Sequence, residues 1–177
     1  METARERFGL YARVRTLSIA DLYGGKLCAA LDRQHPRDLF DVKLLLEEDG
    51  ITPKIRRAFV VYLASHNRPM NELLRPHLKD ISEAFETQFV GMSEEPVALA
   101  DLVEIQHRLP EELVSKLDED ERAFLLSMKR GEPDWTALGF DHLEQLPGLR
   151  WKLQNIQKME PNKQREMLER LQRILDH

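Results

Sequence analysis

A single cysteine, Cys28, excludes an internal disulfide and suits a reducing cytosol. Aromatic residues make up only 7% of the chain against 32% charged, a balance that fits a soluble helical protein better than an all-β one. No stretch approaches the ~18 apolar residues that a membrane helix needs. The opening residues, METARERF, contain no apolar core of the signal-peptide kind. A cytoplasmic protein without a membrane partner is therefore expected. Charge of one sign is also scarce. With 26 basic and 31 acidic residues the net charge is -5, so a strongly basic nucleic-acid footprint is missing at whole-chain level. The six histidines, at 35, 66, 77, 107, 142 and 177, have no zinc-ligand spacing. There is no internal repeat and no low-complexity tract.

What the chain does have is 42% apolar residues, enough for one sizeable core, and dense helix punctuation. Partial alternation over residues 8–17 (FGLYARVRTL) predicts a short strand. Ser18, with Asp21 three residues on, caps a helix that runs to Arg33. Pro36 opens a second helix and Gly50 closes it. Thr52-Pro53 opens a third, reaching about His66. Shorter helices are expected at 70–75, 77–89, 94–109, 111–116 and 119–130, separated by Pro76, Gly91, Pro110 and Gly131. Residues 131–149 form a turn-rich link. Two last helices cover 148–159 and 161–175, the second with Met167, Leu168, Leu171, Ile174 and Leu175 on one stripe. Trp135 and Trp151 are expected to anchor these C-terminal helices.

The first two helices carry the chemistry. In the first, Ile19, Leu22, Tyr23, Leu27, Ala30 and Leu31 share one apolar face, with Lys26 at its centre and Arg33 one heptad later. Cys28 points away from that face, with no partner base in the pattern. A lysine on a packing stripe is costly unless it is paired or opens on a cavity. The second helix is apolar nearly all round, so burial is expected, with Asp38 and Asp41 on one face at i, i+3. Two readings stand side by side. In one, Lys26 and Arg33 or Arg37 form a structural ion-pair network with Asp38 and Asp41. In the other, Lys26 holds a phosphate as a point charge and an aspartate orients it or a second ligand group. Gly24-Gly25 inside the helix, costly at about 1 kcal/mol each against alanine, allows close approach either by a ligand or by another backbone.

The string DLYGGKLCAALDRQHPRDLFDV closely resembles the third and fourth motifs of the AbiEii/AbiGii toxin-type nucleotidyltransferases, a lysine in a helix followed by Arg-Asp-x-x-Asp. LPGLRWKLQNI, from Leu146 to Ile156, resembles that family's C-terminal segment. The resemblance implies a mainly α chain: the helical C-terminal part of a polymerase-β-like nucleotidyltransferase, with a short N-terminal strand. On this reading residues 1–17 are a remnant strand of a missing core, 18–130 a helical domain with the motifs, and 131–177 a C-terminal helical extension. It further implies transfer of a nucleotide from an NTP, with Mg²⁺, to an RNA or protein acceptor, tRNA among them, in a type IV toxin–antitoxin or abortive-infection setting with a cognate antitoxin. Lys26 is then the nucleotide-contacting lysine and Asp38 the catalytic acid, with Arg33, Arg37 and Asp41 as further nucleotide contacts.

The family's glycine-serine or glycine-threonine motif followed by D-x-D, whose aspartates hold the metal, has no counterpart here. Asp118-Glu119-Asp120 is the only D-x-D string, and its place at a helix start reads as a cap. No metal ligands are therefore assigned. The expectation is a chain that is inactive alone. The alternative is a non-catalytic helical module that binds an antitoxin or a separate catalytic half.

Overall fold

The computed structural model describes residues 16–176. The expected strand at 8–17 lies outside the described residues except for Thr16 and Leu17, which belong to no regular element. Among the described residues all regular elements are helical, as the sequence reading requires.

Helix α1 (Ile19–Arg33) starts at Ser18, whose Oγ accepts from the Asp21 N–H at 3.1 Å, and ends at Gln34 in the left-handed region. Helix α2 (Pro36–Glu48) follows after two residues. His35 caps it, Nδ1 accepting from the Arg37 N–H at 3.2 Å, and proline fills its first turn. Helix α3 (Pro53–Ser65) uses Thr52 and Pro53 in the same way. Short α4 (Met70–Leu74) and α5 (Ser82–Gln88) lead to the long α6 (Leu99–Lys116). Helix α7 (Glu119–Arg130) begins with a capping box between Asp118 and Glu121 and ends at Gly131 with φ 87°. The Asp118-Glu119-Asp120 string is thus a cap, as read. A 3₁₀ turn at Leu143–Gln145 precedes α8 (Pro147–Gln157) and α9 (Pro161–Leu175).

Helix α3 is the hub. It packs against α1 over most of its length and also touches α7 and α8. Phe59 and Leu63 of α3 meet Leu27 and Leu31 of α1, and the core continues through Leu39, Val42 and Leu45 of α2 into Leu102 and Leu109 of α6. Each such side chain contributes about 1.5–3 kcal/mol when fully buried. Helix α9 turns Met167, Leu171, Ile174 and Leu175 inward, onto α7 and α4, and leaves Arg165, Glu169 and Arg173 in solvent.

Four local expectations are corrected. Pro110 does not divide a helix. It sits inside α6, where buried Leu102, Ile105, Leu109 and Leu113 form one continuous stripe. The proline's missing N–H leaves only the Gln106 carbonyl without its helical donor, a cost of about 3 kcal/mol that the stripe offsets. The helix expected from residue 77 begins at Ser82, because the backbone at 77–79 bonds to Gln34 instead. Helix α2 buries one face, Leu39, Val42 and Leu45, while Leu44 and Leu46 are half-buried. Finally, the apolar face of α1 is rotated from the expected one. Ile19 is 61% exposed and Leu22 is also exposed, whereas Gly24 and Cys28 are buried. The cause is Gly24. A Cβ there would stand 2.9 Å or less from the α3 backbone, so the helices meet at that side and carry Cys28, one turn on, into the core.

Candidate functional site

Helices α1 and α2 run antiparallel, and their charged residues pair in reverse order along them. Lys26 forms an ion pair with Asp41, and Arg33 Nη2 reaches Asp38 Oδ1 at 2.7 Å. In this register a cation pair at i, i+7 on one helix faces a carboxylate pair at i, i+3 on the next, across a two-residue corner. Asp38 is buried at 8% exposure while the Arg33 side chain is largely open to solvent. Lys26 and Asp41 are both about one-third exposed. Both cations therefore keep contact with solvent, and at Arg33 the buried carboxylate of Asp38 holds the guanidinium from below.

Arg37 does not join the acids. Its Nε and Nη2 donate to the Gln88 carbonyl at 3.1 and 3.0 Å, and His35 Nε2 meets Gln88 Oε1 at 3.1 Å. Both side chains thereby tie the corner to the C-terminal end of α5. Arg33, His35, Arg37 and Asp38 together line a cleft of about 280 Å³. Larger clefts exist elsewhere, one of about 560 Å³ between Arg75, His107 and Glu111, but no sequence-predicted site residue lines it.

The carboxylates do not fit a magnesium site. Among the described residues no three His, Cys, Asp or Glu side chains converge as metal ligands. Asp38 and Asp41 each already face a cation, and Asp32 accepts from Arg68 Nη1 at 2.8 Å. The arrangement can bind and orient an anion by replacing a carboxylate partner.

Cys28 is not a nucleophile. Its Sγ lies 3.8 Å from the Phe59 carbonyl in the core, and burial pushes the thiol far above its ordinary range, with Asp32 adding to the rise. The glycine pair separates into two cases: at Gly24 the close approach is by the α3 backbone, and at Gly25 the Tyr62 ring lies in ordinary contact distance. Trp135 is partly buried with its ring 6.4 Å from that of Phe124, as an anchor should be. Trp151 is 50% exposed, so it is not the buried anchor expected.

Sequence reasoning missed three polar groups. Lys152, in the C-terminal motif, is buried and donates to the carbonyls of His66 at 2.7 Å and Arg68 at 2.8 Å, closing the end of α3. Its α8 neighbours are apolar, so the sequence pattern signalled only a lysine on a packing face. Arg68 and His66 flank Asp32, and burial lowers the His66 pKa, with Asp32 opposing. Gln34 and Gln106 form a buried amide pair that no periodicity indicates.

Residues 3–155 match the family model described as the nucleotidyl transferase AbiEii toxin of type IV toxin–antitoxin systems, and the chain belongs to that family. No curated protein and no solved structure matches it. Among the described residues no helix is long and apolar enough to cross a membrane.

Proposed function

We propose that this chain supplies the nucleotide-contacting helices of an AbiEii-type enzyme that transfers a nucleotide from an NTP to an RNA or protein acceptor. The observation that carries the reading is the ladder itself. Two cations, Lys26 and Arg33, are held at the solvent edge by Asp41 and Asp38, and the Arg33–Asp38 pair lines an open cleft. At the Arg33–Asp38 pair the carboxylate is buried while the guanidinium stays open to solvent, where an anion can reach it.

Lys26 and Arg33 contact the phosphates, Lys26 as a point charge and Arg33 through its planar fork. Asp38 and Asp41 orient those cations, and Arg37 fixes the corner through Gln88. Magnesium would supply charge neutralisation on the triphosphate. The donor set described above does not provide for it, so the chain alone transfers no nucleotide. A cytoplasmic setting, a tRNA acceptor and a cognate antitoxin are parts of the same proposal.

The test incubates the purified chain with each labelled NTP, magnesium and total tRNA, with and without the N-terminal half of a full-length relative. Incorporation only with the added half, abolished by Lys26→Ala, is the expected result. Label incorporated by the chain alone would overturn the inactivity. Failure in both arms, with no NTP binding, would leave a module whose role is to bind a protein partner.

A further inference from the structure

The corner between α1 and α2 is strained at Gln34. Its φ of 54° puts a side chain with a Cβ in the left-handed region, which glycine adopts freely and other residues adopt at a cost. The side chain explains why a glutamine is there. It is buried, and every polar atom of its amide group is used. Nε2 donates to the His77 carbonyl at 2.9 Å, while Oε1 accepts from the Lys79 N–H at 3.0 Å and from Gln106 Nε2 at 2.7 Å. Gln106, itself buried, donates from the same nitrogen to the Lys79 carbonyl at 2.9 Å. Lys79 Nζ then returns to the carbonyls of Asp32 and Arg33, at 3.0 and 3.2 Å. The 77–79 backbone and α6 thus grip the corner from two sides, at the residue that follows Arg33 and stands four before Asp38.

We propose that Gln34 is a positioning residue for the nucleotide site: its amide, clamped by Gln106 and the 77–79 segment, fixes the corner from which Arg33 reaches Asp38. This rests on reading Arg33 as a nucleotide contact that Asp38 orients. Arg33 needs such help. Its side chain is mostly in solvent, and a long exposed side chain keeps one geometry only if its backbone and its partner are both held. Asp38 is held by burial in α2. Arg33 is the last residue of α1, where helices fray, and the bonds from Lys79 Nζ and the Gln34 amide are what stop that end from opening. In the buried amide pair both atoms of the Gln34 amide and the Gln106 nitrogen are bonded, and such low-dielectric networks favour one geometry.

The experiment uses the full chain and two variants. Gln34→Gly relieves the backbone strain and removes the amide; Gln106→Leu leaves Gln34 in place and removes one arm, which keeps the test usable if the first variant is unstable. The first readout is the Arg33 guanidinium ¹⁵N signal, assigned by its loss in Arg33→Lys. Restricted rotation in the parent and faster rotation in both folded variants is expected; an unchanged signal in both overturns the proposal. The second readout is calorimetric titration with each of the four NTPs. Gln34→Gly should weaken binding about tenfold, the size of one misplaced charge-assisted hydrogen bond, and should add nothing further in an Arg33→Ala background. Additive losses would overturn the positioning role. A parent chain that binds no NTP would sink the nucleotide-site reading alone, since the guanidinium signal still decides whether Gln34 positions Arg33.

Discussion

Gly24 of α1 lies against the main chain of Phe59 in α3, so closely that a Cβ on the glycine would stand 2.8 Å from the Phe59 nitrogen and 2.9 Å from the Ala58 carbonyl carbon. Backbone cannot yield as a flexible side chain can. Gly24→Ala should therefore force the two best-packed helices apart and destabilise the chain by about 1–3 kcal/mol or more, the range for overpacking. Gly25→Ala is the control. Its Cβ would meet the Tyr62 ring at 3.6 Å, an ordinary contact, and alanine gains roughly 1 kcal/mol of helix propensity over glycine. Urea denaturation of the two variants should move in opposite directions. Equal effects would mean that the α1–α3 crossing is not as close as described.

A second buried contact predicts a different kind of loss. Arg56 Nε donates to Glu121 Oε2 at 2.6 Å, and Glu121 is 1% exposed with its other oxygen unpartnered in the structure. Removing the arginine strands a buried charge. Arg56→Ala should cost about 3–5 kcal/mol. Replacing both partners, as Arg56→Met with Glu121→Leu, should recover most of that. Asp118, the outer partner of Arg56, is half-exposed and its interaction with the arginine should be worth much less. Thermal unfolding of the single and double variants gives the coupling directly.

Lys152 sets a pH dependence. Burial, with Lys129 nearby, lowers its pKa from the usual 10.5 to about 8. In the unfolded chain the lysine keeps its proton up to the ordinary value, so between about pH 8 and 10.5 the unfolded state binds more protons than the folded one. Stability from this group must then rise with pH across that window. Lys129, lowered in the same direction by burial, adds to the rise. Cys28 works against it above its ordinary value of 9.0, because its raised pKa keeps the thiol protonated only in the fold. The comparison that isolates the lysine is parent against Lys152→Met, with Cys28 common to both. The variant should be less stable at pH 7, since the carbonyls of His66 and Arg68 lose their donor, and the gap should widen as pH rises from about 8 to 10, because only the parent gains stability from this group. A gap that narrows would contradict the sign of the shift.

Much of the fold could be read from the sequence because helix ends are local events. Ser18, Pro36, Thr52-Pro53, Asp118 and Gly131 act through their own φ or their own side chain, and each marks an observed boundary. The phase of α1 was not legible. Six apolar residues suggested one face, but a residue with no side chain at all, Gly24, decides which side meets α3. Pro110 misled for the related reason that a continuous buried stripe outweighs one lost hydrogen bond. At the site, spacing across a short corner brings Lys26 and one of the arginines near Asp38 and Asp41 but leaves open which cation meets which acid; the structure pairs Lys26 with Asp41 and Arg33 with Asp38. The fate of Arg37 was not legible, because Gln88 lies 51 residues away in sequence and only tertiary packing brings it near.

Lys26 separates structure from function most cleanly. It and Asp41 are both about one-third exposed, and pairs of that kind contribute about 1 kcal/mol or less to stability in water. Lys26→Met keeps an unbranched apolar side chain of similar length and removes the charge. Its unfolding free energy should fall by no more than roughly that amount. If the lysine serves only the fold, nothing else should change. If it contacts a triphosphate, NTP binding by the chain should weaken markedly. What binding the parent shows should also decline steeply between low salt and about 0.15 M, where the screening length is roughly 8 Å. Lys26→Arg should restore much of the stability but less of the binding, because a planar fork does not replace a compact ammonium at a phosphate. Equilibrium unfolding and calorimetric titration on the same three proteins decide the matter: a large stability loss in Lys26→Met with unchanged NTP affinity would assign the pair to the fold and withdraw Lys26 from the site.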